Sequence, residues 1–381
     1  MKKKLTRRDF LKLSATSAAV LGAAMVPSAV MADGGFVSEQ PPVTETPKNT
    51  AIPSVPGLSG VLDRAQLDTC DWNDPKLLLK VRWSGVNFYE FVLPNGKTLV
   101  MDPYWDDPNN SHNEYKYTPT DLPAGEWVNG ADYVLITHSQ GDHCAELPSV
   151  LEKHPGAHVV APEHCLPNLV FQHEHKIDYS KHYFDAAGAH DKFSFHGFTL
   201  ETCRSNHNLS KAPVGFGELD PAKYANPDGS CNFYSLFSTI YAREIMNMKI
   251  TTDEGFTVLI WNSEMQPDGK GFESRSYFYG DANPDLFMYQ VAGASLGYDR
   301  RNPVCQHMGE FIASVKAKAA LPEHQQHFSY NELDLMADKF SDICNDRGVG
   351  THFLTPETGV WYGYWKDENG TVKVCRVNDK A

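Results

Sequence analysis

The apolar run Tyr133-Val134-Leu135-Ile136-Thr137 stops at His138, and Asp142 and His143 follow within five residues in the stretch LITHSQGDH. A histidine that ends a buried strand projects from the sheet edge into a loop, where a ligand can reach it. Asp142 and His143 fall at the entry to a helix, adjacent in sequence but pointing apart, so they can serve neighbouring positions around one metal ion or two. Zinc, iron and manganese all accept this mixture of imidazole and carboxylate, with ligand distances of about 2.0–2.2 Å for zinc. Gln140 stands where a further histidine would be convenient. Three later segments answer the loop: His207 follows a strand in ETCRSNHN, Asp281 ends one in YFYGDANPD, and His324 ends another in ALPEHQQH. Four strand ends, each delivering His or Asp, would converge on one edge of a sheet sandwich.

Other residues compete for attention. His327 lies three positions beyond His324 and offers a second candidate ligand, while His173 and His175 in QHEHK, with His182 beyond, form either a separate metal site or a solvated polar stretch. Cys144, next to His143, is a supporting thiol or a small buried hydrophobe. Trp105, Trp127 and Trp261 line a pocket or fill the core.

The elements that must position these groups are legible from periodicity. LLLKVRWSG and NFYEFVLPNGKTLVMDPYW read as strands with a hairpin turn at Pro94-Asn95-Gly96. ADYVLITH and AHVVAP read as strands around a short helix, ELPSVLEKH, in which Pro148 is tolerable in the first turn. DKFSFHGFTLETC gives two more strands, GFTVLIWNS and RSYFYGD a later pair, EFIASVKAKAALPEH a helix running into a short buried strand, and GVWYGYWKDENGTVKVCRV a closing hairpin. Strand clusters with few helices indicate an α/β fold with mixed sheets. Residues 209–254 fit neither pattern and read as an insertion with some helix in FYSLFSTIYAREIM.

The first 32 residues have a basic start, an Ala-rich middle and a small-residue end at Val30-Met31-Ala32, which is the pattern of a cleaved signal peptide. Arg7 and Arg8 ahead of Phe10 and Leu11 resemble the twin-arginine signal, whose machinery carries proteins across already folded. The expected location is therefore periplasmic, extracellular or cell-surface, with no stable membrane insertion after cleavage. Residues 33–56 carry five prolines and few large apolar residues, an extended tether. Removing residues 1–32 takes the net charge from −14 to −19. A surface this acidic repels phosphate backbones, so nucleic acid is excluded as a partner. Eight cysteines without a C-x-x-C pair predict some bridges at most in a chain large enough to bury a core.

Through most of residues 78–365 the chain resembles the metallo-β-lactamase-fold superfamily. VRWSGVNFYEFVLPNGKTLVMDPYW is similar to the opening of the branch that includes ascorbate-6-phosphate lactonase, with a hairpin, Gly85, and Asp102 before a proline. LITHSQGDH is similar to that superfamily's HxHxDH loop, and His207, Asp281 after glycine and His324 after proline match the later motifs in order. The resemblance implies a four-layer αββα sandwich of two mixed sheets, formed by one domain over residues 57–381. It places His138, His207 and residue 140 around a first metal and Asp142, His143 and His324 around a second, with Asp281 shared. One or two divalent ions follow, zinc first, with manganese and iron as alternatives. Two departures stand out: Gln140 replaces the loop's second histidine, and Val86 follows Gly85 where that branch usually shows a histidine. A glutamine carbonyl is a neutral, weaker donor than imidazole. The implied chemistry is metal-assisted hydrolysis of a small ester, lactone, amide or phosphodiester, with Asp142 and Asp281 at the reacting centre and Asp102 orienting a ligand histidine. The alternatives are a non-catalytic member that binds a metal or small molecule, and a di-iron redox protein.

Overall fold

The computed structural model describes residues 54–105 except 56 and 59, 117–163 except 118 and 121, 165, 169, 182–206 except 189, 244–262, 282–291 and 303–378. The expected signal segment and most of the expected tether lie outside these residues, as do His207, Asp281, His173, His175, the strand expected at RSYFYGD, and residues 209–243 of the expected insertion.

Two mixed sheets form the centre of the molecule. The first has nine strands in the order β1-β16-β15-β2-β3-β4-β5-β6-β7. These are β1 (Thr69–Cys70), β2 (Leu79–Gly85), β3 (Phe88–Val92), β4 (Thr98–Met101), β5 (Tyr133–Leu135), β6 (His158–Pro162), β7 (Tyr183–Ala187), β15 (Trp361–Lys366) and β16 (Val372–Val377). The second has seven in the order β14-β13-β12-β11-β10-β9-β8. They are β8 (Lys192–Phe195), β9 (Phe198–Asn206), β10 (Glu244–Thr252), β11 (Thr257–Trp261), β12 (Leu286–Gln290), β13 (Ala319–Glu323) and β14 (His352–Phe353). Each sheet joins an antiparallel half, β16 to β4 and β8 to β11, to a parallel half, β4 to β7 and β11 to β14.

Alternation along the strands builds the layers. Leu79, Val81 and Trp83 of β2, Tyr89 and Phe91 of β3, Met246, Met248 and Ile250 of β10 and Val258 and Ile260 of β11 interdigitate in one core between the sheets. The outward residues of the first sheet, such as Val100, Val134 and Val159, pack with the short helices α1 (Ala124–Trp127) and α3 (Leu147–Lys153). Those of the second sheet, such as Leu259, Phe287 and Ala320, pack with α4 (Pro303–Ser314) and α5 (Tyr330–Asp346). The fold is therefore a four-layer αββα sandwich. Helix α5 was not anticipated, although Ser329 and Glu332 close a reciprocal capping box at its start and Leu333, Met336, Ala337, Phe340 and Cys344 supply its buried stripe.

Two boundaries differ from expectation. Residues 244–252, assigned to the insertion, form β10, paired along its full length with β9, because Ile245-Met246-Asn247-Met248-Lys249-Ile250 presents Met246, Met248 and Ile250 to the core. The end of FYSLFSTIYAREIM is thus strand, not helix. The docked chain also starts slightly before Gly57: Ser54 Oγ donates to Leu62 O at 3.0 Å and Val55 N to Asp334 Oδ2 at 3.2 Å. Asp334 also pairs with Arg64 at 2.7 Å, with both side chains fully buried. Removing one partner of such a pair strands a buried charge, at a cost of about 3–5 kcal/mol.

Among the described residues there is one disulfide, Cys70–Cys375, which joins β1 to β16 across 305 positions. Five further cysteines among the described residues, Cys144, Cys165, Cys203, Cys305 and Cys344, are buried. Closing so long a loop restricts the unfolded chain, so the Cys70→Ser, Cys375→Ser double variant is expected to lose about 2–5 kcal/mol in a denaturant titration. An unchanged midpoint would show that β1 is held by its other contacts alone.

Candidate metal centre

The site is built where strands of both sheets end. In the first sheet β4 ends at Met101, and the next residue, Asp102, takes a left-handed backbone with φ 42°. Its amide donates to Leu135 O at 3.0 Å, which sets its side chain against the residues after β5. There Thr137 donates to Asp102 twice, through its amide to Oδ1 at 2.7 Å and through its hydroxyl to Oδ2 at 2.5 Å. Asn87, in the turn between β2 and β3, adds a bond to Oδ2 at 2.8 Å.

The fourth donor is His143, on α2 (Gly141–Cys144), a single turn that begins at Gln140. His143 Nδ1 lies 2.7 Å from Asp102 Oδ2. With its proton fixed on Nδ1 by a carboxylate, the ring presents the Nε2 lone pair, and Nε2 is buried without a hydrogen-bond partner. Asp142 Oδ2 lies 4.0 Å from that nitrogen and 3.3 Å from His324 Nε2. One ligand atom from each of Asp142, His143 and His324 can be chosen so that all lie within 4.8 Å of one another. Two imidazoles and a carboxylate at this spacing suit a divalent ion.

His324 follows the end of β13, again with a left-handed backbone, φ 55°. Gln326 stands between the next two rings: its Nε2 is 3.1 Å from His324 Nδ1 and 3.1 Å from His327 Nε2. Placement of amide O and N is decided by the hydrogen-bond network, and His324 frees Nε2 for a ligand role only by donating from Nδ1. The carboxamide turned over supplies that acceptor through Oε1, which is otherwise buried and unpaired. His327 thus supports His324 through Gln326 from the outer side, with ring centroids 6.3 Å apart, and is not in the three-residue cluster.

His138 stands beside His143 with ring centroids 3.9 Å apart. Its Nε2 is 2.8 Å from Gln140 Oε1 and its Nδ1 is 3.1 Å from Thr137 Oγ1. Cys144 is fully buried, and its thiol donates to Gln140 O at 3.1 Å, holding the loop from behind. Trp261 packs on Phe311 of α4 at 4.4 Å, apart from Trp105 and Trp127, which meet edge to face at 6.3 Å while Trp127 covers Arg82 at 4.2 Å and Trp105 leans on Phe88 at 5.3 Å. Val86 has φ 38°, unusual for a β-branched residue and worth about 1–3 kcal/mol of strain. Gly85 before it has φ 135°, and a Cβ there would meet Trp105 Cβ at 3.3 Å.

Beneath the cluster lies a polar layer that the sequence reading missed. Asn87 Nδ2 reaches Asn262 Oδ1 at 2.7 Å, and Asn262 N donates to Asn247 Oδ1 at 2.9 Å. Gln290 pairs in register with Glu323, and both are buried without side-chain partners. The available signal was that β11, β12 and β13 each reach a polar residue (Asn262, Gln290, Glu323) at a position where alternation calls for an apolar one. Burial and the nearby Asp102 push the Glu323 carboxyl well above the usual carboxylate range, against a smaller opposing pull from Asn87.

No family model matches the chain. A curated relative, a UPF0173 metal-dependent hydrolase of Thermodesulfovibrio yellowstonii, is 33% identical over 82 residues, 22% of this chain. The match spans 27% of that relative's length, so this chain aligns with about a quarter of it. Among solved structures, the metallo hydrolase Igni18 of Ignicoccus hospitalis aligns with 74% of this chain and 97% of its own at 13% identity and a TM-score of 0.44. The metallo-β-lactamase-fold protein YhfI of Bacillus subtilis aligns with 75% and 98% at 13% identity and a TM-score of 0.45.

The electrostatics of the cluster set its pH dependence. Burial opposes charge on both partners, but the His143, His324 and His138 rings hold the Asp142 carboxyl well below its ordinary range, and Asp142 and Asp102 raise the His143 imidazole above its own. A metal must displace the second proton, on Nε2, that the raised imidazole carries when charged, while Asp102 retains the one on Nδ1. Zinc affinity measured by calorimetry is therefore expected to rise with pH through the ordinary imidazole value of about 6.5 and to keep rising above it, with proton release on binding. The raised imidazole also stabilises the metal-free fold below about pH 6.5, a contribution lost as pH rises through the shifted value. An affinity already level by pH 6.5 would show that His143 is not displaced.

Proposed function

We propose that this chain is a metal-dependent hydrolase acting on a small ester, lactone, amide or phosphodiester outside the cytoplasm. The observation that carries the reading is His143: a buried imidazole oriented by a carboxylate, with an unpartnered Nε2 aimed at Asp142 and His324. Such an arrangement is what a ligand histidine requires, and a structural histidine at this depth would have both nitrogens bonded. Asp142, His143 and His324 would hold the ion, zinc by the chemistry of the donors and manganese or iron as alternatives. Bound there, a divalent ion supplies a Lewis acid and a nucleophile from water near neutral pH.

The protein's own residues do the rest. Asp102 keeps the His143 proton on Nδ1, so that ring does not swing or change tautomer during turnover. Asp142, ionised and 23% exposed, is the ligand side chain most open to the site and can orient an attacking water through its second oxygen. The apolar core between the sheets closes the floor below the polar layer and keeps bulk water on one side. Asp281, the shared ligand of the resemblance, and His207 are proposed members of the centre on sequence alone.

Wild type is expected to bind zinc and to turn over at least one member of a panel of p-nitrophenyl acetate, homoserine lactones and bis(p-nitrophenyl) phosphate, with His143→Ala and Asp142→Ala losing both properties. Zinc binding without turnover on a broad panel favours the binding-protein reading, and unchanged zinc content in both variants removes this cluster from consideration.

The export reading rests on Arg7 and Arg8 and gains support from the Cys70–Cys375 bridge, which suits an oxidising compartment. Replacing both arginines by lysine is expected to retain the unprocessed chain in the cytoplasm; normal processing and release would refute use of the twin-arginine route.

A further inference from the structure

We propose that the centre takes a single metal ion, because Gln140 and His138 engage each other across the position where a second would sit. The inference rests on the metal-dependent reading above and adds the number of ions and the role of the two departing loop residues.

In the ligand set that the resemblance implies, a second ion would need the Nε2 lone pair of His138. That nitrogen is 2.8 Å from the Gln140 carboxamide, and the opposite nitrogen is 3.1 Å from Thr137 Oγ1. The Thr137 hydroxyl gives its proton to Asp102 Oδ2 at 2.5 Å, so toward His138 it accepts, which places a proton on His138 Nδ1. The Gln140 contact then removes Nε2 from ligation in either orientation of the amide. With Oε1 facing the ring, Nε2 carries a proton; with the carboxamide turned over, its N–H takes the Nε2 lone pair. An imidazole at position 140 would join His138 as a second ligand, whereas a carboxamide bonds to the ring directly.

The loop also holds Gln140 in place. His143 N donates to Gln140 O at 3.0 Å, and so does the Cys144 thiol at 3.1 Å, so the backbone that carries the carboxamide is fixed by the same turn that delivers Asp142 and His143. By contrast, His143 Nε2 has no competing bond. Ligand-ready and self-satisfied imidazoles therefore stand side by side, 3.9 Å between ring centroids.

The test is metal stoichiometry on the full folded chain, by elemental analysis after zinc loading and by zinc calorimetry, with thermal melting to confirm folding. Wild type is expected to hold about one equivalent, His138→Ala and His138→Asn to keep it with affinity within about threefold, and Gln140→His to take up about two. A ligand histidine would instead lose at least the about 10–100-fold typical of even a supporting residue. Two equivalents in wild type, loss of the single ion in both His138 variants, or a Gln140→His protein that stays at one would each overturn the inference and leave the metal-dependent reading standing. No zinc uptake by folded wild type would overturn the reading on which it rests.

Discussion

The Asp102 carboxylate is the fixed point of this structure. It is fully buried, which is costly for a carboxyl group unless nearly every lone pair is used, and here four donors use them: the Thr137 amide and hydroxyl, the Asn87 carboxamide and the His143 ring. Those donors come from the segment after β5, the β2–β3 turn and α2. One carboxylate thus sets the relative position of three loops, and the left-handed backbone at Asp102 is the strain accepted to aim it. His324 shows the same compromise on the other sheet. The site is where local backbone preference gives way to geometry.

Below Asp102 the packing changes character abruptly. The inter-sheet core is apolar up to Ile260, Met288 and Leu321, and one alternation further along each strand stand Asn262, Gln290 and Glu323. A purely structural sandwich would continue the apolar pattern, since unpaired buried amides and a buried acid lower stability. Their presence in three neighbouring strands at one end marks that end as the functional one. At the opposite, outer face of the first sheet, polar burial is fully paired: Arg82 is ion-paired with Glu90 and sandwiched between Trp127 and Trp361, at 4.2 and 4.7 Å from the ring centroids.

Much of this was legible in sequence. His138, Asp142, His143, His324 and Asp102 stood out because strand-ending His and Asp residues are chemically conspicuous, and the structure brings all five to one place. Strand clusters with few helices indicated mixed sheets, while the four layers were implied by the resemblance of the motifs and not by periodicity. What escaped was whatever depends on partners distant in sequence. Asn87, Thr137 and Gln326 are ordinary turn residues until the fold places Asp102 or His324 beside them. The strand identity of Glu244–Thr252 was hidden because its antiparallel partner β9 lies across residues that look like an insertion. Helix α5 carries its start signal in Ser329 with Glu332, but its buried stripe is interrupted by charged residues such as Asp334 and Asp338, and Asp334 is buried only because Arg64, distant in sequence, pairs with it. His207 and Asp281 lie outside the described residues, so the sequence remains their sole support.

The bridge between Cys70 and Cys375 has a mechanical meaning. It ties the segment entering the sandwich to its last strand, with 305 positions between them. A pull applied at residue 54 passes first into Arg64, Asp334 and the β1 edge, and then across a covalent bond to β16. Force between residue 70 and residue 375 therefore bypasses every strand in between, and the loops that carry Asp142, His143 and His324 are not in its path.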